Sequence, residues 1–103
     1  MIITYDGVCI TSHDVSGYET AWEICDAVKV LSFYHQQGRV ILGGDIFTSQ
    51  YKYTYDNWFF NMEDTSDTQR NVDFSYIVAR EYIEKYIARN GTKYSVIIVT
   101  GAL

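Results

Sequence analysis

Basic residues are scarce in this 103-residue sequence: eight Lys and Arg stand against thirteen Asp and Glu, for a formal net charge of -5. Attraction to a phosphate backbone draws on clustered Lys and Arg, so nucleic acid is not an expected partner. Any partner steered electrostatically is expected to be basic. Cysteine is scarce too. Cys9 and Cys25 have neither CxxC spacing nor a third or fourth cysteine, which excludes a zinc site of cysteines alone. They read as buried free thiols acting as small hydrophobes, with a single disulfide between them as the lesser alternative, and free thiols point to a reducing cytosol. No apolar run approaches the roughly 18 residues of a membrane span. Residues 1–10 lack a basic stretch and are interrupted by Asp6-Gly7, so neither membrane insertion nor export by a leader is expected. Proline, repeats and low-complexity tracts are absent. The expected location is the cytoplasm.

What the chain does have is apolar and aromatic area. Apolar residues make up 48% and aromatics 17%, enough to bury a core without a metal or disulfide, in one domain spanning residues 1–103. Ile2 to Tyr5 and Val8 to Thr11 predict a hairpin about Asp6-Gly7, a type I′ turn dipeptide. Ser16-Gly-Tyr-Glu19 has the form of a capping box. Behind it Ala21, Ile24, Cys25, Val28, Leu31 and Ser32 recur at helical spacing, which predicts a helix from about Gly17 to Gln37, stopped by Gly38.

Arg39 to Phe47 reads as a central strand interrupted by Gly43-Gly44. Tyr51 to Phe60 reads as a strand antiparallel to it, with Tyr51, Tyr53 and Tyr55 on one face. Residues 61–71 read as a loop, after which Asp73 or Ser75 caps a second helix with Val72, Tyr76, Ala79, Ile83 and Ile87 along its apolar stripe. Gly91 ends that helix, and Lys93 to Thr100 is a β-branched strand. The order ββαββαβ predicts an α+β two-layer sandwich, two helices on a four- to five-stranded mainly antiparallel sheet. If the first hairpin is one long strand, the order becomes the ferredoxin-like βαββαβ.

Catalytic chemistry has little support. No nucleophile elbow and no Gly-rich phosphate loop is present. His13-Asp14 can be drawn as an oriented general base, but a histidine beside a helix start reads as a turn residue. No enzyme activity, metal or cofactor is expected. For Gly43-Gly44-Asp45 two readings stay open and can hold together. One is a bulge or tight packing under a helix. The other is that the kink aims the Asp45 carboxylate outward to receive an Arg or Lys.

Acids fall in two clusters. Glu19, Glu23 and Asp26 would stack on one stripe of the first helix, and the first 28 residues hold five acids and no Lys or Arg. Asp56, Glu63, Asp64 and Asp67 form the second cluster. A solvated face accounts for either cluster by itself. It accounts less well for acids beside Tyr51, Tyr53, Tyr55, Trp58, Phe59 and Phe60, since Tyr and Trp are enriched in binding hot spots.

Ala21-Trp22-Glu23, Gly43-Gly44-Asp45-Ile46-Phe47, Tyr55-Asp56-Asn57-Trp58-Phe59 and the pairs Tyr82-Ile83 and Tyr86-Ile87 together resemble the immunity proteins of bacterial polymorphic and contact-dependent toxin systems. Immunity protein 40 is the group most similar, over about residues 18–90. The resemblance implies a cytosolic antitoxin that binds the C-terminal domain of a toxin delivered by a neighbouring cell and blocks its active site, typically that of a nuclease such as an RNase. An acidic protein suits that role, because carboxylates can occupy the phosphate positions of a basic site and raise the association rate. The expected contacts are Asp45, Tyr53, Tyr55, Asp56, Trp58, Glu63, Asp64 and Asp67. The expected complex is one monomer with one toxin domain, without nucleic acid or membrane. Three other classes compete: a small acidic chaperone or regulatory adaptor, an enzyme using His13, His35 or the carboxylates, and a nucleic-acid-binding ferredoxin-like domain.

Overall fold

Asp6 and Gly7 both take positive φ, 51° and 75°, as a type I′ turn requires. They join β1 (Ile2–Tyr5) to β2 (Val8–Thr11) in an antiparallel hairpin that pairs Ile3 with Ile10. A computed structural model describes residues 1–15, 19–62 and 67–101. Beyond the hairpin follow β3 (His13–Val15), β4 (Glu19–Glu23), α1 (Ile24–Gln36), β5 (Val40–Thr48), β6 (Tyr53–Phe59), α2 (Thr68–Asn90) and β7 (Tyr94–Gly101). Strands three to seven form one sheet in the order β3-β4-β7-β5-β6 with every neighbour antiparallel. The α+β architecture of two helices on a five-stranded antiparallel sheet is the one expected, with the first hairpin standing apart as its own two-stranded sheet.

The stretch before α1 departs from expectation. Glu19–Glu23 is strand, and the helix begins at Ile24 with Glu23 as an N-cap that makes no side-chain capping bond. Ser16, the other half of the expected capping box, lies outside the described residues. Non-local pairing decides the matter. Ala21 and Trp22 lie opposite Ile97 and Val96 of β7 and are both fully buried, on opposite faces of the sheet, which only period-two geometry allows. The expected carboxylate stripe of Glu19, Glu23 and Asp26 therefore does not exist as a helix face. His13-Asp14 likewise lies in a strand rather than a turn. The buried side of α1 is Ile24, Ala27, Val30, Leu31 and Tyr34. Cys25 turns outward, and both Cys9 and Cys25 are exposed thiols rather than buried ones.

α2 starts earlier than expected. Asp67, not Asp73 or Ser75, is its N-cap, its carboxylate accepting from the Arg70 amide at 3.2 Å. Asp73 instead accepts from the His35 ring at 2.7 Å, and His35 stacks on Tyr76. The Ser32 and Tyr76 hydroxyls lie 2.9 Å apart, a second polar tie between the helices. Ser75 is buried against the sheet. Its hydroxyl accepts from the Ile41 amide at 2.9 Å, where the β5–β7 register shifts, and donates to the Val72 carbonyl.

Both helices cover the same face of the sheet. Trp22, Ile41, Ile46, Trp58 and Val96 project into one core with Ile24, Val30 and Leu31 of α1, Ala79 and Ile83 of α2, and Ile3 and Ile10 of the hairpin. The glycine pair serves this packing. A methyl group at Gly44 would strike the Trp58 ring, and one at Gly43 the Trp58 carbonyl. The indole lies in the space that a Gly44 side chain would fill and stacks on Tyr82 of α2 at 5.0 Å.

Candidate functional site

Among the described residues no helix covers the second face of the sheet. Alternation from the paired residues puts Ser95, Ile97 and Val99 of β7, Gly43, Asp45 and Phe47 of β5, and Tyr53, Asn57 and Phe59 of β6 on this side, with Ala21 and Glu23 of β4 and His13 of β3. Ala21, Ile97 and Phe47 make a small apolar cluster of their own there. Around it two large apolar side chains stay open to solvent: Phe59 is 71% exposed and Val99 46%. No Lys or Arg occurs in any of the seven strands. The bases of the described residues sit in helices and connecting segments; Lys93 comes near Glu23 at one end of the open face, and Asp45 pairs with none of them.

Three side chains on this face form a directed chain. Asn57 Nδ2 donates to the Tyr53 hydroxyl at 2.8 Å, and that hydroxyl donates to Asp45 Oδ1 at 3.2 Å. Asp45 and Asn57 are directly opposed across β5 and β6. The Asp45 carboxylate is half-buried and meets no cation among the described residues. Carboxylates accept at about four lone-pair positions, so most of its capacity remains unfilled.

Beside this chain the β6 backbone bulges. Asp45 pairs with Asn57 and Phe47 with Tyr53, so Thr54, Tyr55 and Asp56 stand against Ile46 alone. Thr54 bridges the bulge, its hydroxyl donating to the Ile46 carbonyl and accepting from the Asp56 amide. Tyr55 takes φ 68° at the apex and is 82% exposed. A bulky residue in the left-handed region is an outlier whose strain is of order 1–3 kcal/mol. Its ring leans on Tyr53, centroids 4.9 Å apart.

The expected contact residues thus divide. Asp45, Tyr53 and Tyr55 come together on or beside the open face. Asp56 turns toward the helix side and accepts from the Tyr86 hydroxyl at 2.9 Å in a cleft also lined by Tyr82, Lys85 and Arg89. Burial, and then the bond to Asp56, push the Tyr86 phenol up to about 12. Trp58 is core, its side chain taken into the helix-covered face. Its indole N–H is buried with no partner among the described residues. Asp67 has the N-cap role already given, and Glu63 and Asp64 lie outside the described residues.

Sequence reasoning overlooked Asn57, Phe47 and Val99, and left Phe59 undivided from Trp58. The signal was available in part, since strict alternation allows only one of two adjacent rings to face outward.

Catalytic or metal-binding arrangements are poorly furnished. Neighbouring strand residues point to opposite faces, so Asp14 cannot orient His13; a carboxylate oxygen of Glu23 lies 3.9 Å from its ring. Glu23, Cys25 and Asp26 bring ligand atoms within 4.8 Å of one another. Partial burial and the two flanking carboxylates raise the Cys25 pKa, which keeps the thiol protonated and a weak ligand at neutral pH. No helix among the described residues is long and apolar enough to cross a membrane. No curated protein and no solved structure matches the chain. The model of the family described as immunity protein 40 matches residues 10–100. That match takes in both helices and the five-stranded sheet up to Thr100, and the chain belongs to the immunity protein 40 family.

Proposed function

We propose that this immunity protein neutralises a nuclease toxin domain by laying the open acidic and aromatic face of its sheet over the toxin's basic active site. Family membership implies a cognate toxin as the target; the choice of face and of toxin chemistry rests on one observation. The sheet is free of Lys and Arg, and its uncovered side presents Asp45 amid exposed Phe59, Val99 and Tyr55. A nuclease site is basic because it holds phosphate, and a carboxylate among rings complements it in charge while excluding water. Ordinary stable complexes bury roughly 1,200–2,000 Å², a patch that would extend from this face past Tyr55 onto the β6 edge. The protein acts by binding, as one copy per toxin domain in the cytoplasm, with no catalytic step of its own.

The test is co-expression and pull-down with the C-terminal domain encoded immediately upstream, together with a nuclease assay. A tight complex that weakens as salt rises and abolishes nucleic-acid cleavage is the expected result. If the upstream domain cleaves nucleic acid and stays active in the presence of this protein, the proposal fails. If the domain is inhibited but has a different activity, the nuclease assignment fails alone.

A further inference from the structure

Where the open face carries Gly43, the sheet has a dent. Gly43 lies directly between Phe59 on β6 and Val99 on β7, so a position without a side chain is flanked by two exposed apolar ones. Asp45 and Asn57 border the same shallow, open hollow one pleat further along, and its volume is about 290 Å³. Its walls are therefore flat and apolar on one side and purely accepting on the other. Asp45 uses Oδ1 for the Tyr53 hydroxyl, and Oδ2 has no partner among the described residues. The Asn57 nitrogen also approaches the Tyr55 carbonyl, which can only accept, at 3.4 Å, and this contact favours the same orientation of the amide. Its oxygen is left to accept, on the residue that pairs with Asp45 across β5 and β6.

We infer that this hollow is the seat of one arginine side chain of the toxin, the guanidinium forked onto Asp45 and Asn57 and its plane and stem laid against Phe59 and Val99. The inference rests on the proposed docking face and names the chemistry that would anchor it. Arginine fits better than lysine for two reasons. Two adjacent acceptors on neighbouring strands match the planar fork of five donors, and an aromatic wall favours stacking of a weakly hydrated guanidinium over a compact ammonium. The Asn57–Tyr53–Asp45 relay holds the carboxylate in place before the partner arrives, which lowers the ordering cost of binding.

The experiment uses the full chain and the upstream-encoded toxin domain, with affinities measured by calorimetry for wild type, Asp45→Asn, Phe59→Ala and the control Glu81→Gln on the outer side of α2. Asp45→Asn keeps the shape and the Tyr53 bond, so its thermal midpoint should match wild type while affinity falls about thirtyfold or more. Glu81→Gln should stay within about twofold of wild type. Each toxin arginine is then changed to lysine, and one of these changes should weaken wild type but cost nothing further in Asp45→Asn, the signature of a direct pair. Wild-type affinity retained by Asp45→Asn, or coupling of Asp45 to a toxin lysine instead, overturns the inference while the complex itself stands. Absence of any complex with wild type removes the docking proposal and the inference together.

Discussion

The two faces of the five-stranded sheet are built from the same strands and end in opposite states. On the covered side several polar groups near the core find protein partners, the buried Trp58 indole N–H being the exception among the described residues: Ser75 takes the Ile41 amide, Tyr76 meets Ser32, and Tyr86 donates to Asp56. On the open side Asp45 keeps free acceptor capacity, and Phe59 and Val99 remain wet. Covered-face residues are therefore expected to govern folding, and open-face residues to govern binding at little cost in stability.

The largest expected effect tests the covered side. Trp58→Ala removes a ring wedged between Gly44 and Tyr82 and should cost about 3–5 kcal/mol in urea denaturation. Trp58→Phe should cost much less, because it also removes a buried N–H that has no partner among the described residues. Equal losses would mean that the indole is not packed as described. Next is Ser75→Ala, which strands the Ile41 amide and should cost about 1–3 kcal/mol. A neutral result would show the β5 register shift is held by something else.

Third comes alkaline pH. The Tyr86 phenol is raised from 10 to about 12, so the neutral form is favoured in the fold. Its contribution is complete below pH 10 and is shed as pH rises through 12. Tyr86→Phe should lack this component when denaturation midpoints are compared across that range. Parallel profiles for the two proteins would refute it.

The smallest stability change belongs to Tyr55→Gly, and it sharpens the comparison most. Glycine relieves the left-handed strain but loosens the unfolded chain, and the two effects should leave stability within about 1 kcal/mol. Toxin affinity should still drop about tenfold or more with the ring gone. A variant that loses both together would erase the division between the faces.

Legibility in the sequence followed the range of the interactions involved. The first hairpin, β5, β7 and the end of α2 were readable because turn residues and β-branched runs act locally; β6 was readable only in outline, since Tyr51 turns at φ 61° before the strand and the bulge at Thr54–Asp56 breaks the expected alternation of Tyr51, Tyr53 and Tyr55. β3 and β4 were not, since Ala21 and Trp22 become strand only through β7, near the other end of the chain. The Ser16/Glu19 pattern then gave a false helix start. Asp67 was assigned to an acidic surface when a local bond to the Arg70 amide makes it a cap. Asp45, Tyr53 and Tyr55 were legible as acid beside ring. Asn57 and Val99 needed cross-strand register, which no single segment carries.

The bulge at Thr54–Asp56 also bears on self-association. An edge strand with an unbroken row of amides and carbonyls is a template for a second copy. Here the ladder of β6 with β5 runs regularly over only Gly43–Phe59, Gly44–Trp58 and Asp45–Asn57 before the bulge breaks it. At the opposite edge β3 is three residues long. Neither edge offers a long straight ladder to extend, so an exposed, ring-rich sheet face can coexist with resistance to strand-by-strand aggregation.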